Sequence, residues 1–217
     1  PLLEENRVLA YYGLQTLSQT ANLGLKALCR VSGIEGDVNE QDVGFSIGPR
    51  INAVGRLQSA DLVVKLLLTE DPHEAVQLAD MVNELNEERK ALVDEIVKEA
   101  ESMLDLDDET RLILVAHPDW NEGVLGIVAS RLVKRYDRPA IVLKTDEATQ
   151  MAKGSARSIP AFNLFRSCMK VRELFAQFGG HSQAAGMSLP IENIEPLKQA
   201  LEEQMRRELK PEDYKHD

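Results

Sequence analysis

The chain has 217 residues, of which 43% are hydrophobic and 28% charged, and its formal net charge is −11. This composition is typical of a globular protein of one or two domains, and no apolar run approaches the roughly 20 residues that a membrane-spanning helix needs. The two cysteines, Cys29 and Cys168, form neither a CxxC nor a zinc spacing, which favours a reduced, cytoplasmic setting. The first residues include neither a signal peptide nor an initiator methionine, so we expect a fragment of a longer protein.

The overall negative charge argues against nucleic-acid binding, because contacts to phosphate require cations. The charge is unevenly distributed, however, and a binding face is set by the local potential. Between residues 151 and 181 a single acid, Glu173, is outnumbered by five cations, which are Lys153, Arg157, Arg166, Lys170 and Arg172. These cations are either a solvated surface or part of a binding face, and composition alone favours neither.

Residues 1–69 read as short helices in chain order. The predicted helical segments are ENRVLAYYGLQTLSQ, NLGLKALCRVSG, NEQDVGFSIG and SADLVVKLLLT. Asn39 is the expected N-cap of the third segment, and Gly48–Pro49 is expected to break the chain after it.

The next segment predicts one long helix. Asp71 is a suitable N-cap and Pro72 a suitable first helical residue, and neither glycine nor a further proline occurs before about Leu104. A helix of this length commonly bridges two bodies, although it is equally compatible with a place in a helical bundle.

The remainder alternates between strands and helices, which predicts an α/β domain with a mixed sheet flanked by helices. The predicted strands are RLILVAHP, RPAIVLKT, MAKGSARSI and AAGMSLP, and the predicted helices are EGVLGIVASRLVKRY, NLFRSCMKVRELF and IENIEPLKQALEEQMRREL. The segment MAKGSARSI is polar and contains glycine, so we expect it to be an edge strand or a strand that lines a site.

Two arginine-containing stretches carry groups suited to phosphate. GPRINAVGRL, residues 48–57, offers two guanidinium forks among glycine and proline, although a loop with surface arginines explains it equally well. In GSARS, an extended backbone points Ser155 and Arg157 to one face, where a hydroxyl and a guanidinium form a compact oxyanion receptor. The alternative for GSARS is an edge strand with its polar side chains in solvent.

Two histidine-containing stretches also have two interpretations each. In HPDWNEGVLGIVASR, His117 ends a strand where ligands commonly bind, and Trp120 either packs the turn or stacks on a base. In FGGHSQAAG, Gly179 and Gly180 are expected to form a tight turn that presents His181 to a phosphate oxygen. The alternative is a glycine turn with an incidental histidine.

The order GPRINAxGRL, long helix, WxxGVxGIVASRL, RPAIVL, GSARSI, GGHxxAAG resembles the RecJ exonucleases, a family of single-strand-specific 5′→3′ nucleases in the DHH phosphoesterase superfamily. The resemblance covers nearly the whole chain. It implies helices that end the DHH domain over residues 1–69, a connecting helix over 70–105, a DHH-associated α/β domain over 106–210 and a tail over 211–217.

The same resemblance implies roles for particular residues. His181 would be the catalytic histidine, in a turn shaped by Gly179 and Gly180, and Ser155 and Arg157 would bind the 5′ phosphate. Contacts to the DNA strand would come from Arg50, Asn52 and Arg56. Asn121 departs from the family, whose members often have histidine directly after the tryptophan.

The resemblance also implies partners that this chain does not supply. Two metal ions, Mn²⁺ or Mg²⁺, would be held by an N-terminal DHH domain, and no DHH triplet occurs in this sequence. The other expected partners are single-stranded DNA with a 5′ phosphate, a single-strand-binding protein and a helicase, with no membrane. Alone, the chain is expected to be inactive.

Two other functions remain open at this point. Relatives with the same GGH motif cleave oligoribonucleotides or cyclic dinucleotides, and others are non-catalytic nucleic-acid-binding scaffolds.

Overall fold

The computed structural model describes residues 3–105, 107 and 110–214. The chain forms two compact units, Pro1–Ala91 and Leu92–Asp217, and the division between them falls inside the long helix. The last residues of the predicted tail, 215–217, lie outside the described part. Among the described residues, no helix combines the length and the apolar character that crossing a membrane requires.

The first unit is helical, as the sequence predicts. Its helices are α1 (Glu4–Ser18), α2 (Leu23–Val31), α3 (Gly48–Leu57), α4 (Asp61–Leu68) and the first part of α5 (Pro72–Ser102). Fully buried side chains from four of these helices form its core, including Leu28, Val54, Leu66 and Val82. Helix α1 has no buried residue.

The expected break at Gly48–Pro49 is wrong, because helical backbone continues through it. Asn39 caps this segment by accepting hydrogen bonds from the N–H groups of Gln41 and Asp42 at 2.9 and 3.0 Å. A π-helical stretch, Asp42–Ile47, leads directly into α3, and the Gly48 N–H donates to the Val43 carbonyl five residues earlier. The wider π-helical turn accommodates Pro49, which lacks the N–H that an α-helical turn would use.

The second unit is built on a five-stranded mixed sheet. Its strands are β1 (Ile113–His117), β2 (Ala140–Asp146), β3 (Met151–Arg157), β4 (Gln177–His181) and β5 (Ala184–Pro190). Their order in the sheet is β1-β2-β3-β5-β4. The pair β1–β2 is parallel and is joined through α6 (Leu125–Tyr136), whereas all other neighbours are antiparallel.

Helices complete the core of this unit. Helix α6 packs on β2 and β3 and buries a stripe that includes Leu125, Val128 and Leu132. Helix α8 (Ile194–Glu208) buries Leu197, Leu201 and Met205, a stripe of four-residue intervals typical of an amphipathic helix. The mixed sheet with flanking helices therefore confirms the predicted fold class.

Three details of the predicted elements are wrong. Of the two expectations for the segment MAKGSARSI, the edge strand is wrong, because β3 lies between β2 and β5. The residues QFGGH are not a turn, because they form the edge strand β4, and the turn consists of Ser182 and Gln183. The helix predicted over residues 163–175 is limited to α7 (Leu164–Met169), followed by a short 3₁₀ turn, Arg172–Leu174.

Close packing of the sheet generates a stability prediction. A Cβ atom at Gly154 would lie 2.0 Å from the Val142 carbonyl oxygen, whereas a Cβ atom at Gly186 would meet nothing within 4 Å. We therefore expect Gly154→Ala to lower the free energy of unfolding of this unit by about 2 kcal/mol. The matched variant Gly186→Ala should change it by less than about 0.5 kcal/mol.

Chemical denaturation followed by tryptophan fluorescence measures this difference, because Trp120 is the only tryptophan and is buried in this unit. Equal unfolding midpoints for the two variants would contradict the expected packing of β2 against β3.

Candidate functional site

Three antiparallel strands place nine residues on one face of the sheet. Residues paired directly across antiparallel strands point to the same side, and every second residue of a strand does so too. The register gives three rows, which are Arg157–Ala184–His181, Ser155–Gly186–Gly179 and Lys153–Ser188–Gln177. We call these nine residues the polar face. The structure thus brings together four of the predicted site residues, Ser155, Arg157, Gly179 and His181.

The first turn of α6 lies directly over Ser155 and Arg157. A Cβ atom at Gly126 would lie 2.8 Å from Arg157 Nη2 and 3.5 Å from Ser155 Oγ, so only glycine leaves both groups their present positions. Arg157 also donates from Nη1 to the Ala156 carbonyl at 2.8 Å, which restrains the guanidinium. A hydroxyl, a guanidinium and the positive end of a helix dipole therefore converge, as they do at anion sites.

A cavity of about 740 Å³ adjoins this cluster on the polar face. Its floor includes Gly179 and Gly186, and its walls include Lys153, Ser155, Gln177 and Ser188. Helix α6 covers β2 and β3, but a Cβ atom at Gly179 or Gly186 would meet nothing within 4 Å, so this part of the sheet is open.

The two adjacent glycines of the GGH motif have different roles. Gly179 faces the open cavity, whereas Gly180 faces the opposite side of the strand. A Cβ atom at Gly180 would lie 2.3 Å from the Ala184 carbonyl oxygen, so this position requires glycine for close packing across the hairpin. The expectation that the pair shapes a turn is therefore wrong, and His181 is the exposed last residue of β4.

The cationic stretch is less positive than its sequence indicates. Lys153 forms an ion pair with Glu122 and Lys170 forms one with Glu208, both at 2.7 Å. Acids from distant parts of the chain therefore neutralise two of the five cations, and Arg157 is the one arginine of the polar face.

The arginines of GPRINAVGRL lie in the first unit and differ from one another. Arg50 is part-buried and donates to Asn83 Oδ1, the Ser46 carbonyl and the Val31 carbonyl at 2.9, 2.9 and 3.2 Å. It thereby ties α3 to α2 and α5. Asn52 and Arg56 are exposed, one helical turn apart, beside a groove of about 430 Å³.

Trp120 packs the turn after β1 and does not present its ring to a ligand. It is 2% exposed, and its indole N–H donates to Glu99 Oε2 at 2.6 Å. Glu99 Oε1 lies 3.4 Å from His117 Nε2, so one carboxylate of α5 holds both aromatic side chains. This confirms the packing interpretation. Asn121 accepts a hydrogen bond from the Gly123 N–H at 2.8 Å and begins the turn that precedes α6.

The surroundings of both thiols disfavour the thiolate. Burial raises the pKa of Cys168 to about 12, and burial together with the nearby charge of Asp42 raises the pKa of Cys29. Since the thiolate is the reactive form, these surroundings disfavour a nucleophilic role for either cysteine.

The described residues do not supply a metal centre. Over residues 3–105, 107 and 110–214, no group of three or more His, Cys, Asp or Glu side chains is placed to hold an ion. The Mn²⁺ or Mg²⁺ that the resemblance implies therefore has no fitting ligand set among these residues.

The sequence alone missed four residues of the site, which are Gly126, Glu122, Gln177 and Ser188. Lys153 was one of the five cations noted in the sequence, and the alternation of β3 predicts that it shares a face with Ser155, two residues further on. Gln177 and Ser188 required the pairing of β4 with β5, and Gly126 required the packing of α6 on β3.

Comparisons with known proteins agree with this architecture. A family model described as the DHHA1 domain matches residues 109–207. The chain is 48% identical to the single-stranded-DNA-specific exonuclease RecJ of Bacillus subtilis over 99% of its own length and 28% of that protein's. It is 36% identical to the protein of the same name from Haemophilus influenzae, over 89% of this chain and 36% of that protein.

A solved structure gives the same result. The crystal structure of RecJ in complex with Mn²⁺ from Thermus thermophilus matches with a TM-score of 0.86 and 29% identity, over 97% of this chain and 31% of that one. The second unit is therefore an α/β domain of the DHHA1 class. The chain belongs to the RecJ family, and it spans about a third of the length of the relatives it matches.

The shared carboxylate at Glu99 generates a second prediction. Replacing Glu99 with alanine leaves the buried indole N–H of Trp120 without its acceptor. We expect Glu99→Ala to lower the free energy of unfolding of this unit by about 1–3 kcal/mol. Glu95→Ala is the matched control, because Glu95 is an exposed glutamate of the same helix, and it should cost less than about 0.5 kcal/mol.

Denaturant unfolding followed by Trp120 fluorescence again provides the measurement. If Glu95→Ala destabilises the unit as much as Glu99→Ala, the hydrogen bond to Trp120 does not anchor α5.

Proposed function

We propose that this chain is part of a metal-dependent, single-stranded-DNA-specific 5′→3′ exonuclease, and that its DHHA1 domain binds the 5′ end of the strand. One observation carries the proposal. Ser155 and Arg157 lie together beneath the first turn of α6, on the same sheet face as His181. The similarity to the single-stranded-DNA-specific exonucleases RecJ of Bacillus subtilis and Haemophilus influenzae supports the exonuclease activity.

In this proposal Ser155, Arg157 and the first turn of α6 bind the terminal phosphate. The Arg157 guanidinium neutralises the charge and offers paired N–H donors, and Ser155 Oγ donates a further hydrogen bond. The N-terminal end of a helix favours a dianion electrostatically. A strand with a 5′-hydroxyl end would make none of these contacts with Arg157, Ser155 and the helix N-terminus. The domain could therefore distinguish a 5′ phosphate from a 5′ hydroxyl.

His181 would contact the next phosphate. Arg157 and His181 occupy one row of the sheet, separated by β5. Adjacent strands lie about 4.8 Å apart, so their backbones are about 10 Å apart. Side chains that lean toward each other across this distance can contact two successive phosphates of one strand. A 5′ phosphate at Arg157 therefore puts the first phosphodiester at His181, where the imidazole can donate to an oxygen as negative charge develops.

Helix α3 of the first unit would also contact DNA. Asn52 and Arg56 are exposed on one face of α3 and suit contacts to sugar and phosphate. Three guanidinium N–H groups of Arg50 already donate to protein acceptors. Only the remaining two would therefore be available to contact DNA. The larger contribution of Arg50 would be to hold α3 in place.

The proposed organisation follows the predicted boundaries. Residues 1–69 would end a DHH domain, 70–105 would connect, 106–210 would form the DHHA1 domain and 211–217 a tail. The catalytic Mn²⁺ or Mg²⁺ would be bound by DHH residues beyond this sequence. Such a protein would act in the cytoplasm in DNA repair and recombination, with a single-strand-binding protein and a helicase as partners.

The phosphate pocket is tested with two variants of the longer protein that the proposal implies. We expect Arg157→Ala and Gly126→Ala to lower kcat/KM on 5′-phosphorylated single strands by about 10- to 100-fold, because a hydrogen bond to a charged group is lost or displaced. Their activity on 5′-hydroxyl strands should stay close to that of the unaltered protein.

Arg166→Ala is the matched control, because Arg166 is an exposed arginine of α7 outside the polar face. The pocket is wrongly assigned if 5′-phosphorylated and 5′-hydroxyl strands respond equally to Arg157→Ala.

Experiments on the purified 217-residue chain test whether it binds the 5′ end without cleaving DNA. We expect it to release no nucleotides from single-stranded DNA in Mn²⁺, because its described residues offer no metal-binding cluster. It should nevertheless bind a 5′-phosphorylated trinucleotide, detected as shifts of the Ser155 and Arg157 amide signals in ¹H–¹⁵N spectra. Metal-dependent nucleotide release by this chain would refute the expected inactivity.

A further inference from the structure

We propose that the cavity over Gly179 and Gly186 is a binding site for the base of the 5′-terminal nucleotide. This inference rests on the proposed function, because it requires a 5′ phosphate at Ser155 and Arg157. It adds a contact that neither the phosphate pocket nor His181 provides.

The floor of the cavity is flat and open. Gly179 and Gly186 are paired across β4 and β5, both are exposed, and a Cβ atom at either position would meet nothing within 4 Å. Because both residues of this pair lack side chains, the peptide planes at this one row are bare, and a planar ring can lie on them at van der Waals distance. The volume of about 740 Å³ lies within the range of small-molecule sites and exceeds the needs of one phosphate group.

The position of the floor suits the first nucleotide. Ser155, Gly186 and Gly179 form one row of the sheet, so the floor lies directly beside the proposed phosphate ligand. The row that contains Arg157 and His181 is two residues further along the strands, which is about 6.6 Å. A nucleotide with its phosphate at Ser155 and Arg157 and its 3′ side toward His181 can therefore place its base over the two glycines.

The charges around the cavity favour a base over a further phosphate. Lys153 is the cation of the wall, and its ion pair with Glu122 neutralises it. A second phosphate would meet the Glu122 carboxylate, whereas an uncharged base would not be repelled.

The wall also explains why the site need not select among bases. Gln177 and Ser188 face each other across β4 and β5 at the end of the cavity. An amide and a hydroxyl can each donate and accept a hydrogen bond, so together they match donor or acceptor groups on any base edge. The expected result is affinity for a base without preference for its identity, as stacking contacts commonly give.

The experiment combines a change in the protein with a change in the substrate. In the longer protein, Gly186→Val puts a branched side chain into the cavity, and because its Cβ atom would meet nothing within 4 Å, we expect the fold to be retained. The substrates are 5′-phosphorylated single strands whose first nucleotide is either thymidine or abasic. Gly13→Val is the matched control, because Gly13 also has open space around it but lies in α1.

We expect the unaltered protein to have about tenfold lower kcat/KM on the abasic strand, since the loss of one stacked base commonly costs a factor of this order. Gly186→Val should lower activity on the thymidine strand to the level of the abasic strand, and Gly13→Val should keep the tenfold difference. Equal activity of the unaltered protein on both strands overturns the base site. A preference for 5′-phosphorylated over 5′-hydroxyl strands in the same assay shows that the proposed function stands independently.

A binding measurement on the 217-residue chain decides the matter even if the longer protein is not a nuclease. Thymidine 5′-monophosphate and its abasic analogue, deoxyribose 5-phosphate, are titrated while amide signals are followed by ¹H–¹⁵N spectra. The base site predicts that only the nucleotide shifts Gly179 and Gly186, and that Gly186→Val removes this difference. Identical shifts from both compounds refute it.

Discussion

The candidate site depends on the pairing register of β3, β5 and β4. A slip of one residue in any of these strands would send its side chains to the opposite face of the sheet. Arg157 would then no longer share a face with His181, and Ser155 would no longer border the open glycines. Gly154 and Gly180 make this register sterically possible, because their backbones lie so close to Val142 and Ala184 that a methyl group would not fit.

Glycine serves opposite purposes on the two faces of the sheet. On the packed face, Gly154 and Gly180 allow chains to approach closely. On the polar face, Gly179 and Gly186 leave space that no protein atom fills. Gly126 does the same from the helix above, because its missing side chain is what admits the Arg157 guanidinium. The candidate site thus depends on positions that lack side chains as much as on positions that carry polar ones.

The carboxylates of α5 attach the end of the long helix to the sheet. Glu99 holds Trp120 and His117, while Asp94 pairs with Arg131 of α6, and this pairing lowers the pKa of the Asp94 carboxyl. Helix α6 in turn positions Gly126 over Ser155. The same helix therefore carries both Arg131, which contacts α5, and Gly126, which lies beside Arg157 and Ser155.

The sequence by itself determined the elements with strong local signals. Apolar periodicity, caps and proline positions were enough for the long helix, for α6 and α8 and for four of the strands, because these signals act over a few residues. The strand alternation also placed Ser155 and Arg157 on one face. Local rules failed at two places. At QFGGH, strand pairing prevailed over the tendency of glycine to form turns, and at Gly48–Pro49 a π-helical turn allowed helical backbone to continue through a proline.

Only the tertiary structure decided which residues meet. The pairing of β4 with β5 brought His181 and Gln177 to the polar face, and the packing of α6 brought Gly126 to Arg157. Tertiary packing also lowered the positive charge of the segment 151–181, because it paired Lys153 and Lys170 with acids. These acids lie 31 and 38 residues away in the chain, so the sequence around the two lysines did not show them. Such long-range pairs depend on how elements pack, and a single sequence carries no short-range signal for them.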